Sequence, residues 1–387
     1  MPHAMKDATG TAEVPVMQKM SFLDRWLAVW ILLAMGLGLA LGHFVPGLNR
    51  VLDSMTVGGI SIPIAIGLLV MMYPVLAKVR YNETQRITGD RKLIILSLVL
   101  NWVLGPLFMF VLAWTFLPDL PEYRTGLIIV GLARCIAMVF IWNDMACGDR
   151  EAAAVLVAIN SVFQVVAYGA LGWFYLQALP SWLGLETTSA EFSLGAIVLS
   201  VLVFLGIPLL AGFLTRTLGE KAKGRQWYEE AFLPKIGPWA LYGLLFTIVL
   251  LFSFQGDAII SQPMDVARMA VPLLLYFVLM FLVSFFASKM VGLNYAKSTS
   301  VAFTASGNNF ELAIAVAIGT YGVTSGQALA GVVGPLIEVP VLVGLVYVAI
   351  WLGRRLFPGD PTVPGFRTTH DATETVETDP NMTGVRP

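Results

Sequence analysis

The chain has 387 residues, of which 57% are hydrophobic and 13% charged; 24 lysines and arginines face 25 acidic residues, for a net charge of -1. A soluble domain carries about 45–50% apolar and about 25% charged residues, so this balance and a mean hydropathy of +0.77 exclude an ordinary soluble enzyme. The composition is that of an integral membrane protein, whose first partner is the lipid bilayer.

Residues 1–24 form a polar leader, read as a cytoplasmic N-terminal segment. The apolar run behind it ends in "LGHFVPG" rather than in a small-residue cleavage site, so it reads as a retained helix and not a signal peptide. Its "GLGLALG" at 36–42 resembles a dinucleotide fingerprint only superficially, because small residues in a membrane helix serve close packing. A crossing of a core about 30 Å thick takes about 20 mainly apolar residues. On that rule ten spans are expected, near 25–45, 58–78, 93–117, 124–146, 151–178, 191–215, 233–255, 266–290, 297–320 and 327–353. With the N-terminus inside, every lysine and arginine except Arg50, Arg124, Arg268 and the intramembrane Arg134 falls on the cytoplasmic side. Both termini are therefore expected in the cytoplasm, with an even number of spans in the inner (plasma) membrane.

Ten spans divide into repeats at 25–178 and 191–356, and an odd number of spans per half makes the second half inverted. Weak internal similarity agrees: Pro63 with "GLL" at 67–69 against Pro238 with "GLL" at 243–245, and "PLFMFVL" from Pro106 against "PLLLYFVL" from Pro272. Inverted repeats of this kind place the substrate near the midplane, where discontinuous helices expose backbone groups. The fold class expected is thus an all-α polytopic membrane protein of ten helices in two inverted five-helix repeats. The Pro/Thr-rich stretch 357–387 is expected to be a disordered cytoplasmic tail.

Spans four and nine are the symmetry mates with polar centres. Span four contains "GLARC", with Arg134 and Cys135 adjacent; span nine contains "SGNNFE", from Ser306 to Glu311. Gly307 followed by Asn308 and Asn309 is poor helix and good turn chemistry, which a bilayer tolerates only where protein or a water-filled cavity satisfies the backbone. Both helices are expected to break and to cross near their breaks. Arg134 either fixes two helices through a carboxylate or supports a site, and its field favours a thiolate at Cys135. The competing reading of Cys135 is a small buried hydrophobe.

Glu311 is a natural proton-coupling group, the alternative being a salt bridge with Arg134. Glu338, between Pro335 and Pro340, is the second deep carboxylate, read as a proton path or a packing group ahead of direct cargo contact. Asn143 and Asp144 end span four, where interfacial solvation is the simpler account. Asn101, Asn160 and Gln164 are read as bonding between helices or lining the cavity. Cys135 and Cys147 exclude a disulfide framework, and 12 residues of continuous helix would hold them about 18 Å apart. The three histidines avoid the span centres, so neither a histidine metal site nor any other metal or cofactor is expected. No G-x-x-x-x-G-K-[ST] motif occurs, so the sequence requires no ATPase subunit, and nothing in it points to a nucleic-acid partner.

"GGISIPIAIGLLVMMYPVLAKVRY", "LNWVLGPLFMF", "GLARCIAMVFIWNDMACGDREAA", "NSVFQ", "SGNNFELAIAVAI" and "GPLIEVPVLVGLVY" together resemble arsenite efflux permeases of the arsenical-resistance-three type, in the bile acid/arsenite/riboflavin transporter superfamily. The resemblance implies a bile-acid-symporter-like fold with panel and core domains and crossed broken helices in the core. It also implies export of arsenite, with antimonite a second candidate cargo, in exchange for protons. The family's essential thiol falls on Cys135 and its essential acid on Glu311. The substrate-binding set expected is Cys135, Glu311, Asn308 and Asn309; the proton-coupling set is Glu311 and Glu338; Arg134, Asn143, Asn160 and Gln164 support them. Neutral arsenite, a trihydroxide with a soft centre, suits one thiol that binds reversibly. The alternative is a sodium-coupled organic-anion symporter of the bile-acid type, which uses oxygens and needs no thiol. A sensor acting through its tail would be exposed by deletion of 359–387, which a transporter should survive.

Overall fold

The computed structural model describes residues 5–6, 12–13, 26–45, 47–48, 51, 54–57, 60–79, 90–136, 138–187 and 193–364. Two short antiparallel ladders, β1 (Met5–Lys6) with β2 (Ala12–Glu13) and β3 (Thr56–Val57) with β4 (Ile60–Ser61), are the strands among these residues. Everything else of regular structure is helical. In chain order the helices are α1 (Leu27–Phe44), α2 (Ile62–Ala77), α3 (Arg91–Phe116), α4 (Pro121–Leu132), α5 (Val139–Met145), α6 (Arg150–Trp182) and α7 (Leu194–Lys223). They continue as α8 (Leu233–Ser261, entered through helical turns from Arg225), α9 (Pro263–Met290), α10 (Tyr295–Ser306), α11 (Phe310–Tyr321) and α12 (Gly326–Leu356). Helix lies over each of the ten stretches expected to span. Six helices, α3, α6, α7, α8 with its leading turns, α9 and α12, are long and apolar enough to cross a membrane; α1, α2 and α11 are apolar but shorter.

Large aliphatic side chains remain on the outside of the bundle, such as Leu33 at 58%, Leu210 at 58% and Val166 at 78% exposure. In water such a surface would be an aggregation site, whereas hydrocarbon covers it without cost. Four of the helices contain one π-helical turn, and each turn stands immediately before an X-Pro pair. The turns are Leu100–Leu104, Phe174–Ala178, Leu202–Gly206 and Tyr228–Phe232, and the prolines are Pro106, Pro180, Pro208 and Pro234. A proline clashes with the carbonyl four residues back and offers it no N–H; widening the preceding turn relieves the clash and keeps the helix continuous.

Two sets of helices pack most closely among themselves. One joins α8 to α1 and α2, with α7 against α2; the other gathers α3, α4, α9, α10, α11 and α12, with α6 on its flank. The second set holds both interrupted helices. Helix α4 stops at Leu132 and the chain resumes helix at Val139, while α10 stops at Ser306 and α11 starts at Phe310. Twelve residues of helix rise about 18 Å, so α4, α10 and α11 each reach only part way through a bilayer.

The first helix of the second pair is capped by the far end of the chain. The Asp360 carboxylate accepts from Tyr295 N at 2.7 Å, Thr362 Oγ1 from Ala296 N at 3.3 Å and Asn294 Oδ1 from Lys297 N at 3.0 Å, so three of the unsatisfied donors at the start of α10 find partners. The expectation of a disordered tail from 357 is corrected to that extent: residues 357–364 are folded against α10. The remainder, 365–387, and most of the 1–24 leader lie outside the described residues. At the same end Lys297 Nζ bonds Asp90 Oδ2 at 2.7 Å, and that bond holds the Asp90 carboxyl below its ordinary value of 3.8.

Two outcomes follow for stability. Asp360→Ala should destabilise the detergent-solubilised protein by about 1 kcal/mol, read as a lowered thermal midpoint, and truncation after 364 should leave the midpoint unchanged whereas truncation after 356 should lower it. Because the Asp90 carboxyl is depressed in the fold, its stabilisation is present at neutral pH and is lost as pH falls through the lowered value; acid unfolding of Lys297→Met should therefore begin at higher pH than that of the parent protein.

Candidate functional site

The two interrupted segments meet as strands. Cys135 N donates to Gly307 O at 3.2 Å and Asn309 N donates to Ala133 O at 3.1 Å, an antiparallel bridge between Arg134 and Asn308. The reason is local: helix ends leave backbone groups unpaired, and water is scarce in the middle of the bundle. Each break supplies what the other lacks. The side chain of Asn308 donates to Val130 O at 2.8 Å and Ala133 O at 3.0 Å, closing the C-terminal end of α4. The Asn309 carboxamide oxygen accepts from Leu312 N at 3.1 Å, capping the N-terminus of α11.

Neighbouring helices complete the crossing. Gln164 of α6 accepts from Arg134 N at 2.9 Å and donates to Arg134 O at 3.1 Å, pairing that residue's backbone as a third strand would. Glu338 of α12 accepts from Asn308 N at 3.1 Å. The Arg134 guanidinium, without accessible surface, donates to the carbonyl of Gly131 and, at 2.6 Å, to the Tyr276 hydroxyl of α9. A cation on the last carbonyls of α4 also complements the negative end of the helix dipole. Among the described residues no carboxylate ion-pairs with Arg134, so the expected alternative of a salt bridge to Glu311 is replaced by a hydroxyl and a helix end. Gly105 of α3 is required for this placement, since a Cβ there would lie 2.4 Å from the guanidinium.

Cys135 is buried, 2% exposed, and outside any disulfide, as is Cys147. Gly307 shows what faces the thiol. A Cβ added to Gly307 would lie 3.0 Å from Cys135 Cβ and 3.3 Å from both Cys135 Sγ and Glu338 Oε1. Thiol and carboxylate therefore both pack against the bare Cα of residue 307, where a side chain would crowd them. Asn308 Oδ1, Asn309 Nδ2 and Arg134 Nε, side-chain atoms of the same two segments, are buried with no hydrogen-bond partner. The two segments that carry the thiol thus leave one acceptor and two donors unmatched, and unmatched buried polar groups gain most from a small hydroxylated ligand.

Glu311 lies at the junction of the two helix sets. It lines a cavity of about 20 Å³ between α2 and α8 on one side and α11 and α12 on the other. Its place in the first turn of α11 sets the carboxylate at the positive end of a helix. Glu338 is a carboxylate that the fold brings close to the thiol, across Gly307. Asn143, expected to be solvated at an interface, is fully buried and accepts from Ser300 Oγ at 2.8 Å, which ties α5 to α10. Asn160 accepts from Trp102 Nε1 at 3.1 Å and joins Asn101 between α6 and α3. No cluster of three or more His, Cys, Asp or Glu suited to a metal ion occurs among the described residues. Tyr276 was not singled out from the sequence; its signal was a lone hydroxyl in the otherwise apolar run after Pro272.

Residues 65–262 match the sequence model of the Sodium Bile acid symporter family. Over 360 residues the chain is 67% identical to "Arsenical-resistance protein Acr3" of Corynebacterium glutamicum, covering 93% of this chain and 97% of that protein. The chain is an Acr3-type member of the Sodium Bile acid symporter family. A second Acr3, from Alkaliphilus metalliredigens, is 32% identical over 85% of this chain and 92% of its own. An uncharacterized transporter of Synechocystis is 36% identical over 88% and 92%. Membership of this symporter family and the apolar helices make the chain a multi-pass membrane transporter and not an enzyme.

Gln164→Leu should test how much the crossing depends on its third partner. It leaves a buried N–H and a buried carbonyl of Arg134 unpaired, about 1–3 kcal/mol each, and should lower the thermal midpoint of the solubilised protein far more than Asn160→Leu.

Proposed function

We propose that this chain exports trivalent arsenic from the cytoplasm as arsenite, with antimonite as a second cargo, in exchange for protons, and so confers arsenic resistance. The observation that carries the reading is the convergence of Cys135 Sγ and Glu338 Oε1 on the open side of Gly307, in a chain 67% identical to an arsenical-resistance protein. Neutral arsenite is a small trihydroxide with a soft central atom, and soft centres take thiolate ligands. The sulfur of Cys135 displaces one hydroxyl, which leaves as water with the thiol's proton; Glu338 is the base that shuttles that proton. The remaining hydroxyls suit Asn308 Oδ1 and Asn309 Nδ2. One sulfur bond is reversed by one water, whereas three would hold the metalloid against release.

The transporter has ten membrane-spanning segments in two inverted repeats, both termini in the cytoplasm, in the inner (plasma) membrane. The set of α1, α2, α7 and α8 acts as the panel and the set that holds the crossing as the core, and sliding of one on the other alternates access. Glu311, at their junction, carries the coupling proton. Arg134 and Gln164 hold the crossing rigid, Asn143 and Asn160 brace it from α5 and α6. A sodium-coupled organic-anion symporter on the same fold would leave the thiol at the crossing without a role.

Arsenite uptake into everted vesicles tests the reading. Cys135→Ser and Glu338→Gln should each lower uptake at least tenfold, equivalent to about 1.4 kcal/mol, while both proteins insert at normal levels. An imposed proton gradient should drive uptake and a sodium gradient should not; normal uptake by Cys135→Ser, or flux driven by sodium alone, would overturn it.

A further inference from the structure

Gln255 places a long amide in an otherwise apolar stretch of α8, "LLFSFQG", and is buried. Its Nε2 donates to Val323 O at 2.5 Å. That carbonyl belongs to the link 322–325 between α11 and α12, so the bond runs from the set of α1, α2, α7 and α8 to the set that holds the crossing. Both sides of it are firmly held. Ser253, two residues before Gln255, donates to Gly38 O of α1 at 3.0 Å, and α1 lies so close that a Cβ on Gly38 would stand 2.6 Å from Val249 O. On the other side Gly322, at a φ of +95°, ends α11, and the Ser325 hydroxyl caps α12 by accepting from Ala328 N at 3.2 Å. Glu122 of α4 accepts from Gly326 N at 3.1 Å. The Val323 carbonyl therefore moves with α4, α11 and α12, the helices that carry the crossing and both deep carboxylates.

Near the opposite end of α8 the Tyr228 hydroxyl donates to Ala77 O at 3.2 Å and Arg216 to Lys78 O at 3.1 Å, and both of these bonds stay within one set. On the proposed topology α8 runs outward from Arg225, so Gln255 lies toward the outer face. We propose that the Gln255–Val323 bond is an outer latch: it holds panel and core in the position in which the site is closed to the outside, and it breaks when the site opens there. The inference rests on the reading of the chain as an alternating-access transporter. A hydrogen bond spans about 3 Å between heavy atoms, so a slide of a few ångströms parts donor from acceptor. Water entering the opened outer mouth then solvates both groups, which keeps the net effect of the bond small. One such bond shifts a two-position equilibrium several-fold, enough to bias it and too little to lock it.

The test reads the accessibility of Cys135 in full-length protein carrying Cys147→Ser. A membrane-impermeant methanethiosulfonate is applied to intact cells for the outer side and to everted vesicles for the inner side. Gln255→Met keeps the length of the side chain and removes the donor; Gln255→Asn keeps an amide and withdraws its reach, and stands in if the methionine lowers insertion. Either variant should raise labelling from outside relative to labelling from inside roughly fivefold, the scale of one hydrogen bond. A residue that only packs would lower the thermal midpoint and leave that ratio alone. A ratio unchanged or moved the other way in an inserted variant, or insertion of neither variant, would overturn the latch and leave the transport reading standing. Labelling from one side alone or from neither, in the parent and both variants while arsenite is transported, would overturn alternating access and the latch with it.

Discussion

Two helices that stop inside a low-dielectric interior leave carbonyls and amides that nothing in the hydrocarbon can satisfy. In this protein each interrupted segment answers the other: Cys135 and Gly307 share one hydrogen bond, Ala133 and Asn309 a second, and Asn308 closes the last turn of α4. The strand-like bridge lets both breaks exist together, and neither would be stable with an intact helix opposite. Everything chemical about the site follows from it. A thiol reaches the centre because the residue carrying it is extended rather than helical, and a carboxylate reaches the same spot because Asn308 N has an amide to offer.

The surrounding helices act as a rigid mould for that bridge. Gln164 pairs the Arg134 backbone from one side, and Tyr276 holds its guanidinium from another. Gly105 admits a guanidinium that a methyl would displace, and Gly307 lets Cys135 and Glu338 approach more closely than a side chain would. The arginine supplies a positive charge that closes the carbonyl end of α4.

Much of this was legible in the chain. "GLARC" and "SGNNFE" announced the breaks because an arginine in a span and Gly-Asn-Asn in a helix are each too unfavourable to be incidental. Partner choice was not legible. Which carboxylates approach Cys135 depends on the rotation of α12 against α10, and sequence spacing on one helix says nothing about the phase of another; hence the approach of Glu338 to the thiol was not legible. Asn143 misled for a related reason, since its place near a span end suggested solvent while α10 buries it against Ser300. Tyr276 carries a single hydroxyl in an apolar run, a signal that only its burial makes informative. The tail's first residues read as disordered because they are Pro- and Thr-rich without apolar periodicity, yet Asp360 and Thr362 among them cap α10.

The π-helical turns ahead of Pro106, Pro180, Pro208 and Pro234 also bear on how such chains diverge. Each inserts one residue into a helix, and one residue is about 100° of rotation. Everything beyond the turn is indexed from the proline, so the inner and outer halves of α3, α6 and α7 present independently set faces. A one-residue deletion at such a turn would act as a twist, swinging half a helix about its own axis and exchanging lipid-facing for core-facing side chains. In this architecture the integrity of a span is held by its count of residues as strictly as by their identity.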